Sequence, residues 1–473
     1  MKHVFLFTIL LQIPKMAVAD GNGTCGDNLT WSYDEATKTL TISGTGTMTD
    51  YKLNSTRSTS PWNNYSSDIE KIILEAGISS IGSYAFYKCS GISSIAIPQS
   101  IISIGESAFL GCSNLSALTI PNSVISIGTG AFRYCSGLIS LNLANGVAFI
   151  GERAFQGCSG LTSLTIPNSV TTIGHAAFWD CNLTSVHITD LEAWCKITFV
   201  SNPLGEAEHL FLNGKEIKDL IIPNSITAIG EQAFVGGSGL TSIVIPNSVK
   251  SVNTSSFYGC SGLTSVIIPN SVTFIGDAAF YGCHGLGSVV ISENMTSIGN
   301  NAFADCPKLT DVYCLAESVP STKNRTFGDI VVSDVTLHVP AASVNAYKVA
   351  DLWKYFKRII AIGDDAILET PKCANPTITN NDGVVSFSCE TEGVEFVSEI
   401  KSNDNRKEFD NKIFLNNTYT ISVYATKPGF ENSDIVTMEV VGTGGINGDL
   451  NGDGAVDVGD HVELTNIIMG KTK

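Results

Sequence analysis

The acidic stretch near the end of the chain, "DLNGDGAVDVGD" at residues 449–460, carries the residue types best suited to metal chemistry. Carboxylate and amide side chains alternate along it, and Gly454 supplies the sharp turn that a loop wrapped around one ion requires. Hard oxygen donors at this spacing predict a calcium site, with Ala455 contributing its backbone carbonyl. The predicted ligands are Asp449, Asn451, Asp453, Ala455, Asp457 and Asp460. An acidic turn without a metal is the alternative.

A helical pattern, "HVELTNIIMG", follows this EF-hand-type loop, whereas no convincing helix precedes it. The loop and its following helix therefore resemble a type I dockerin repeat, and we assign residues 442–473 to a dockerin-like tail. The resemblance implies calcium as cofactor and a cohesin-type scaffold as partner. Dockerins carry two such loops and this chain has one, so a calcium-stabilised terminal cap is the other interpretation.

No other group of residues has the spacing of a catalytic site. The seven histidines are scattered, and the chain has no G-x-S-x-G, H-E-x-x-H or phosphate-binding glycine motif. With 28 Lys and Arg against 45 Asp and Glu, the net charge is −17, which argues against nucleic-acid binding. We therefore expect a non-enzymatic protein.

A 23-residue repeat accounts for most of the sequence. Any binding surface of the protein must therefore be positioned by this repeat. Its consensus is L-x-x-L-x-I-P-x-S-V-x-x-I-G-x-x-A-F-x-x-C, and phenylalanine marks each unit. The regularly spaced residues are Phe86, Phe109, Phe132, Phe155 and Phe178, then Phe234, Phe257, Phe280 and Phe303. One unit cannot bury its own apolar face, but stacked units can, which predicts a solenoid with one continuous core.

Each consensus position has a physical reason. In one unit, Leu164 and Ile166 alternate inward along a short strand, and Pro167 ends that strand because it lacks an N–H. We expect the recurring glycine, Gly174 in this unit, to adopt a positive φ. We therefore expect a mostly β fold class with short helical or irregular segments, in which a repeat solenoid is followed by a small β-sandwich and a half EF-hand tail.

The units resemble the BspA-like leucine-rich repeats of bacterial surface proteins, on phrases such as "IPNSVTTIG" at residues 166–174. The segment "GTCGDNLTWSYDEATKTLTISGTGTMTDY" with "PWNNY" resembles the N-terminal cap of that family, and residues 335–362 resemble its C-terminal cap. The resemblance implies a β cap at residues 20–66, a solenoid with its C-terminal cap at residues 67–363, and a role in adhesion or ligand binding.

Cysteine repeats with the same period, as in Cys112, Cys135 and Cys158. Gly237 occupies the same position in one unit, so buried apolar thiols explain the column better than disulfides or metal ligands. A disulfide between Cys373 and Cys389 in the next domain stays open, because the register counted from Asn381-Asp382-Gly383 does not place them opposite each other.

Two features of the solenoid are candidates for function. An outward strand position is polar in early units but apolar later, which predicts a ligand-contact stripe: Ile221, Val244, Ile267, Val290 and Tyr313. A simple strand preference of β-branched residues is the alternative. The other feature is an irregular unit, where Phe178 and Phe234 lie 56 residues apart; either a functional insertion or a structural excursion explains it.

Residues 364–441 alternate with period two, as in Tyr419, Ile421, Val423 and Ala425, which predicts a small β-sandwich. This segment is similar to immunoglobulin-like and chitobiase-C-terminal-like modules, which implies a spacer.

Residues 1–19 have the pattern of a signal peptide: Lys2 and His3, an apolar core, and Ala17-Val18-Ala19 as the cleavage site. No stretch reaches transmembrane length, so we expect an extracellular protein, secreted or associated with the cell surface. Its expected partners are a host matrix or surface protein, or a glycan. The alternative role is a non-catalytic accessory subunit of an extracellular polysaccharide-degrading assembly.

Overall fold

The computed structural model describes residues 21–323, 325–328, 332–363, 373–381, 384–390, 395–403, 418–426 and 433–441. In these residues the protein is mostly β, and the chain divides into two compact units. The first comprises Met1–Glu216 with Glu231–Gly237, and the second Ile217–Gly230 with Ser238–Lys473. The described helices are short: α-helices Leu191–Cys195, Leu204–Ala207 and Val344–Tyr347, and 3-10 helices Asn63–Tyr65, Val332–Asp334, Ala341–Ser343 and Trp353–Tyr355.

An antiparallel cap opens the first unit. Strands Gly21–Gly26, Leu29–Asp34 and Thr39–Gly44 form a meander, and Lys71–Leu74 then pairs parallel to the last of them. The short hairpin Leu53–Asn54 with Arg57–Ser58 lies in the connection. The parallel strand is the point at which the meander becomes the first turn of the repeat.

Two columns of parallel strands build the rest of the first unit, one strand per column in each turn. The first column contains Ser94–Ile95, Ala117–Ile120, Ser140–Leu143, Ser163–Thr165, Ser185–Ile188 and Leu210–Leu212, the last with Lys215–Glu216 antiparallel to it. The second column is a seven-stranded sheet of Gly46–Thr47, Ile78–Ile81, Ser103–Ile104, Ser126–Ile127, Phe149–Ile150, Thr172–Ile173 and Thr198–Phe199. Residues 23 apart pair in register, such as Leu118 with Leu141, which confirms the predicted stacking.

The second unit repeats this arrangement. Its first column contains Asp219–Ile221, Ser242–Val244, Ser265–Ile267, Ser288–Ile291, Asp311–Cys314, Thr336–Val339 and Arg358–Ala361. Its second column is a five-stranded sheet of Ala228–Ile229, Ser251–Val252, Phe274–Ile275, Ser297–Ile298 and Ser321–Thr322. Both units are therefore β-solenoids, as the repeat predicts.

Stacked phenylalanine rings form the core of each solenoid. Phe109, Phe132 and Phe155 are fully buried, with ring centroids 5.1 and 5.3 Å apart in successive turns. A tryptophan closes each stack: Trp62 stacks on Phe86 at 5.8 Å, and Trp353 meets Phe327 edge-on at 5.7 Å. Both tryptophans are buried, so they shield rings that would otherwise face solvent at the ends of the repeat.

The recurring glycine serves close approach between turns and not the positive φ that the sequence suggested, because none of these glycines is among the residues with positive φ. A Cβ on Gly128 would lie 2.8 Å from the backbone carbon of Gly105, and one on Gly151 would lie 2.7 Å from that of Gly128. Left-handed positions lie two residues before and two residues after phenylalanine instead. The first accepts several residue types, among them Tyr84, Ser107, Gly130, Arg153, Ala176 and Ser255. The second is occupied by residues such as Lys88, Gly111, Tyr134 and Gly157.

The cysteine column consists of buried thiols, as predicted. Cys112, Cys135 and Cys158 each donate to the carbonyl oxygen of the phenylalanine one turn earlier, at 3.2 to 3.3 Å. Burial raises the pKa of the Cys89 thiol to about 12. Because only a thiolate is an efficient nucleophile, these cysteines are chemically inert in the folded protein.

Antiparallel strands follow the solenoid in the second unit. Thr377–Asn381 pairs with Val384–Ser388, and Thr418–Thr426 lies between Glu395–Asn403 and Val436–Val441. Ile421, Val423 and Ala425 are buried, so these three alternating residues share the buried face of that strand. The hairpin register pairs Thr377 with Ser388, so Cys373 and Cys389 are not opposite each other; the Cys389 thiol donates to Ala374 O at 3.1 Å. An immunoglobulin-like sandwich stays a prediction.

Candidate ligand-contact surface

The predicted stripe lies along the first strand column of the second unit, on two successive parallel sheets. Ile221 pairs with Val244, Ile267 with Val290, and Val290 with Tyr313, each in register on neighbouring parallel strands. The structure therefore brings together the residues that the repeat aligns in the sequence.

The side chains of the stripe are less exposed than their outward position suggests. Val244 and Val290 are buried, with 2% and 8% of their surface exposed, while Ile221, Ile267 and Tyr313 are half-buried. Flanking apolar side chains at the same position in neighbouring turns shield one another, because parallel strands lie only about 4.8 Å apart. Solvent reaches the stripe mainly at its three half-buried members.

The early part of the equivalent column in the first unit consists of small or polar residues and is open to solvent. Ala96, Thr119, Asn142 and Thr165 are all exposed. Their side chains are small, and Thr119, Asn142 and Thr165 present hydroxyl and amide groups to solvent.

Each outward column contains, in one of its later turns, a stacked pair of an imidazole and an aromatic ring that the sequence pattern did not predict. His187 stacks on Phe211 in the first unit at 4.7 Å, and Tyr313 stacks on His338 in the second at 4.1 Å. Extending the stripe by one turn to "TLHV" at residues 336–339 would have found His338. The irregular unit hides Phe211, because it breaks the 23-residue period there.

A carboxylate fixes the second pair. His338 Nε2 lies 2.9 Å from Asp311 Oδ1, and the Thr310 hydroxyl donates to Asp311 Oδ2 at 2.8 Å. Partial burial alone would raise the pKa of the Asp311 carboxyl, but these hydrogen bonds and the basic side chains of His338 and Arg358 together lower that pKa. The end of the stripe thus combines an aromatic face with a charged edge.

The irregular unit is an ordered part of the first solenoid. Asp190 caps helix Leu191–Cys195 by accepting from Ala193 N at 3.0 Å. The indole of Trp194 donates to Ala233 O at 3.0 Å, and the Asn202 amide donates to the same oxygen at 2.8 Å.

Trp194 repeats a contact made by Trp62. The Trp62 indole donates to Ala85 O at 2.7 Å, and Ala85 precedes Phe86 as Ala233 precedes Phe234. These contacts favour the structural interpretation of the irregular unit, in which Trp194 covers a turn of the repeat where the regular period is lost.

The predicted calcium ligands, Asp449 through Asp460, lie outside the described residues, as does the predicted signal peptide. Among the described residues, no group of three or more His, Cys, Asp or Glu side chains is placed to hold a metal ion. The helices in the part of the chain that the structure describes are all too short or too polar to cross a membrane.

Comparison with known proteins gives the same architecture. Six copies of the BspA type leucine rich repeat region match residues 63–192 and 207–331. None of the curated proteins compared with the chain matches it.

Solved structures also match. A leucine-rich repeat protein of Eubacterium ventriosum is 21% identical, with 67% of this chain and 84% of that chain covered and a TM-score of 0.44. A leucine rich cell surface protein of Faecalibacterium prausnitzii is 20% identical, with 74% and 96% covered and a TM-score of 0.36. The pneumococcal vaccine antigen PcpA is 18% identical, with 73% and 99% covered and a TM-score of 0.38.

Proposed function

This chain belongs to the BspA-type leucine-rich repeat family, and on that premise we propose that it is an exported, non-enzymatic adhesion or recognition protein. It binds a host matrix or surface protein, or a glycan, through the outward face of its repeats. The N-terminal signal pattern supports export, and the protein is then secreted or held at the cell surface.

The observation that carries the proposal is the contrast between the inside and the outside of the turns. Buried phenylalanines and aliphatic residues recur in each turn with little change of type, whereas the outward column exchanges exposed small or polar residues for apolar ones. A scaffold needs only the first property. Variation at outward positions above a constant interior is what a binding surface requires, since contacts there distinguish one partner from another.

Binding of the full secreted chain to immobilised matrix proteins and to a polysaccharide array tests this function. The double variant Ile267→Ser with Tyr313→Ser removes two half-exposed members of the stripe, and we expect it to weaken binding about tenfold or more. Thr119→Ala with Thr165→Ala is the matched control, because it changes the same strand position in the first unit. If both double variants bind as tightly as the natural chain, the stripe is not part of the contact surface.

A second role rests on the acidic loop of residues 449–460, whose ligand spacing favours calcium. In that role the tail attaches the chain to a cohesin-type scaffold of a polysaccharide-degrading assembly. Retention of the full chain on such a scaffold in calcium, and its release by EDTA, supports attachment.

The calcium loop is tested separately by titration. Asp449→Asn with Asp453→Asn removes two carboxylate ligands, so we expect calcium affinity to fall at least about a hundredfold. Isothermal calorimetry of the natural chain and the variant measures it, and Asp434→Asn, outside the loop, is the control. Identical titrations of the variant and the natural chain would refute the assignment.

A further inference from the structure

A cleft of about 360 Å³ opens on the second unit beside an aromatic column. The column consists of the residues that directly follow the core phenylalanines in successive turns. It changes from aromatic to small along the chain, in the order Tyr258, Tyr281, Ala304 and Gly328.

The two tyrosines form an ordered stack. Their ring centroids lie 4.9 Å apart with an interplanar angle of 9°, and Tyr258 is 41% exposed. Turns stack in sequence order, as the phenylalanine rings next to this column show with 5.3 Å between Phe257 and Phe280. One face of the Tyr281 ring is therefore covered by Tyr258, and the other faces the turn of Ala304.

That second face borders the cleft because the column position is occupied by small residues, Ala304 and Gly328, in the next two turns. Tyr281, Ala304 and Gly328 all line it. A flat ring placed against Tyr281 would continue the stack at the spacing that the column already has. The space is therefore shaped for a ring-sized group, and its volume lies at the lower end of ligand pockets.

Polar groups surround the same space. Asn301, Asp305 and Arg325 line the cleft. The Asp305 carboxylate also has a partner that does not line the cleft, because His284 Nε2 lies at hydrogen-bond distance, 2.9 Å, from Asp305 Oδ2. An amide, a carboxylate and a guanidinium together offer both donors and acceptors around one aromatic face.

We propose that this cleft binds a pyranose unit of a glycan, stacked on Tyr281 and hydrogen-bonded by Asn301, Asp305 and Arg325. The inference rests on the proposed function and names its ligand class. A pyranose combines a flat carbon-rich face with hydroxyl groups that both donate and accept. An aromatic peptide side chain would stack equally well. It would, however, displace water from the three polar groups and offer no hydrogen bonds in return, which costs free energy.

Calorimetry of the full chain with soluble oligosaccharides tests the inference. The probes are tri- to hexasaccharides of glucose, galactose, mannose and N-acetylglucosamine, with N-acetyl-tyrosinamide as the aromatic alternative. Tyr281→Leu keeps apolar packing against Tyr258 but removes the ring, and we expect about tenfold weaker sugar binding. Arg325→Gln, at an exposed position, should weaken the same sugar without changing the unfolding midpoint. Tyr134→Ala, an exposed tyrosine in the first unit, is the matched control and should bind normally.

Three results would overturn the inference: no oligosaccharide bound at millimolar concentration, equal binding by Tyr281→Leu and the natural chain, or binding of N-acetyl-tyrosinamide in place of the sugars. The proposed function has its own readout. If matrix proteins bind the chain but no oligosaccharide does, the sugar site is refuted and the adhesion function is retained. If neither matrix proteins nor sugars bind the chain, both the sugar site and the adhesion function are refuted.

Discussion

The interior and exterior of the repeat obey different rules. Inside, position by position, the same residue types recur, and Phe109, Phe132 and Phe155 have nearly the same environment. Outside, the column that contains Thr119 and Ile267 changes its chemistry between the two units. Interior side chains must fit identical neighbours above and below, so each turn constrains the next. Exterior ones have solvent on one side and are free to vary.

The largest expected effect is on the interior. Phe132→Ala removes a fully buried ring from between two stacked neighbours, and we expect a loss of about 3–5 kcal/mol in the free energy of unfolding. Phe149→Ala is the matched exterior change, since Phe149 is 52% exposed, and should cost less than about 0.5 kcal/mol. Urea unfolding followed by circular dichroism measures both. Similar losses for the two variants would break the distinction between interior and exterior.

A smaller effect is expected where the turns touch through the backbone. Gly128→Ala would place a Cβ 2.8 Å from the backbone of the preceding turn, so the turns must separate locally, at about 1–3 kcal/mol. At Gly363 a Cβ would meet no atom within 4 Å, so Gly363→Ala is the control and should leave stability nearly unchanged. Thermal unfolding of the two variants checks this. A tolerated Gly128→Ala would show that turn spacing is adjustable.

These glycines also mark the limit of what the sequence predicts. Periodicity is enough to place the strands, the phenylalanine stack and the buried thiols, because each follows from residue type and a fixed spacing. The sequence predicts a positive φ for the recurring glycine, Gly128 among them, because a single sequence does not reveal how closely the backbone of the preceding turn approaches. The sequence does not indicate the left-handed position two residues before phenylalanine, because residues as different as Tyr84 and Ala176 occupy it.

The candidate surface was predicted less completely than the core. Alternation places the stripe on the outward side of the strands, but burial of Val244 depends on its surroundings in three dimensions. The His187 and Phe211 stack depends on strand Leu210–Leu212, which the irregular unit moves out of period. The cleft at Tyr281 exists because side chains are small in later turns, a property that no single unit displays.

The smallest expected effect lies on the exterior, at the end of the stripe. The pKa of Asp311 is lower in the folded chain than in the unfolded chain, where the pKa of an aspartate is about 3.9. Its ionised form therefore stabilises the fold above that pH, and the contribution disappears as pH falls through the lower, folded value. Because the Asp311 side chain is over a third exposed, solvent screening keeps the contribution below about 1 kcal/mol.

Two substitutions separate the hydrogen bond from the ring stack at this position. His338→Phe keeps a ring against Tyr313 but removes the hydrogen bond to Asp311, so its stability should fall slightly relative to the natural chain at pH 6 and match it more closely at pH 2. His338→Ala loses the stack as well, and its deficit should persist at both pH values. Denaturant midpoints across this range measure the difference. If His338→Phe has the same deficit at both pH values, Asp311 contributes nothing through its charge, and this edge of the stripe is held by ring packing alone.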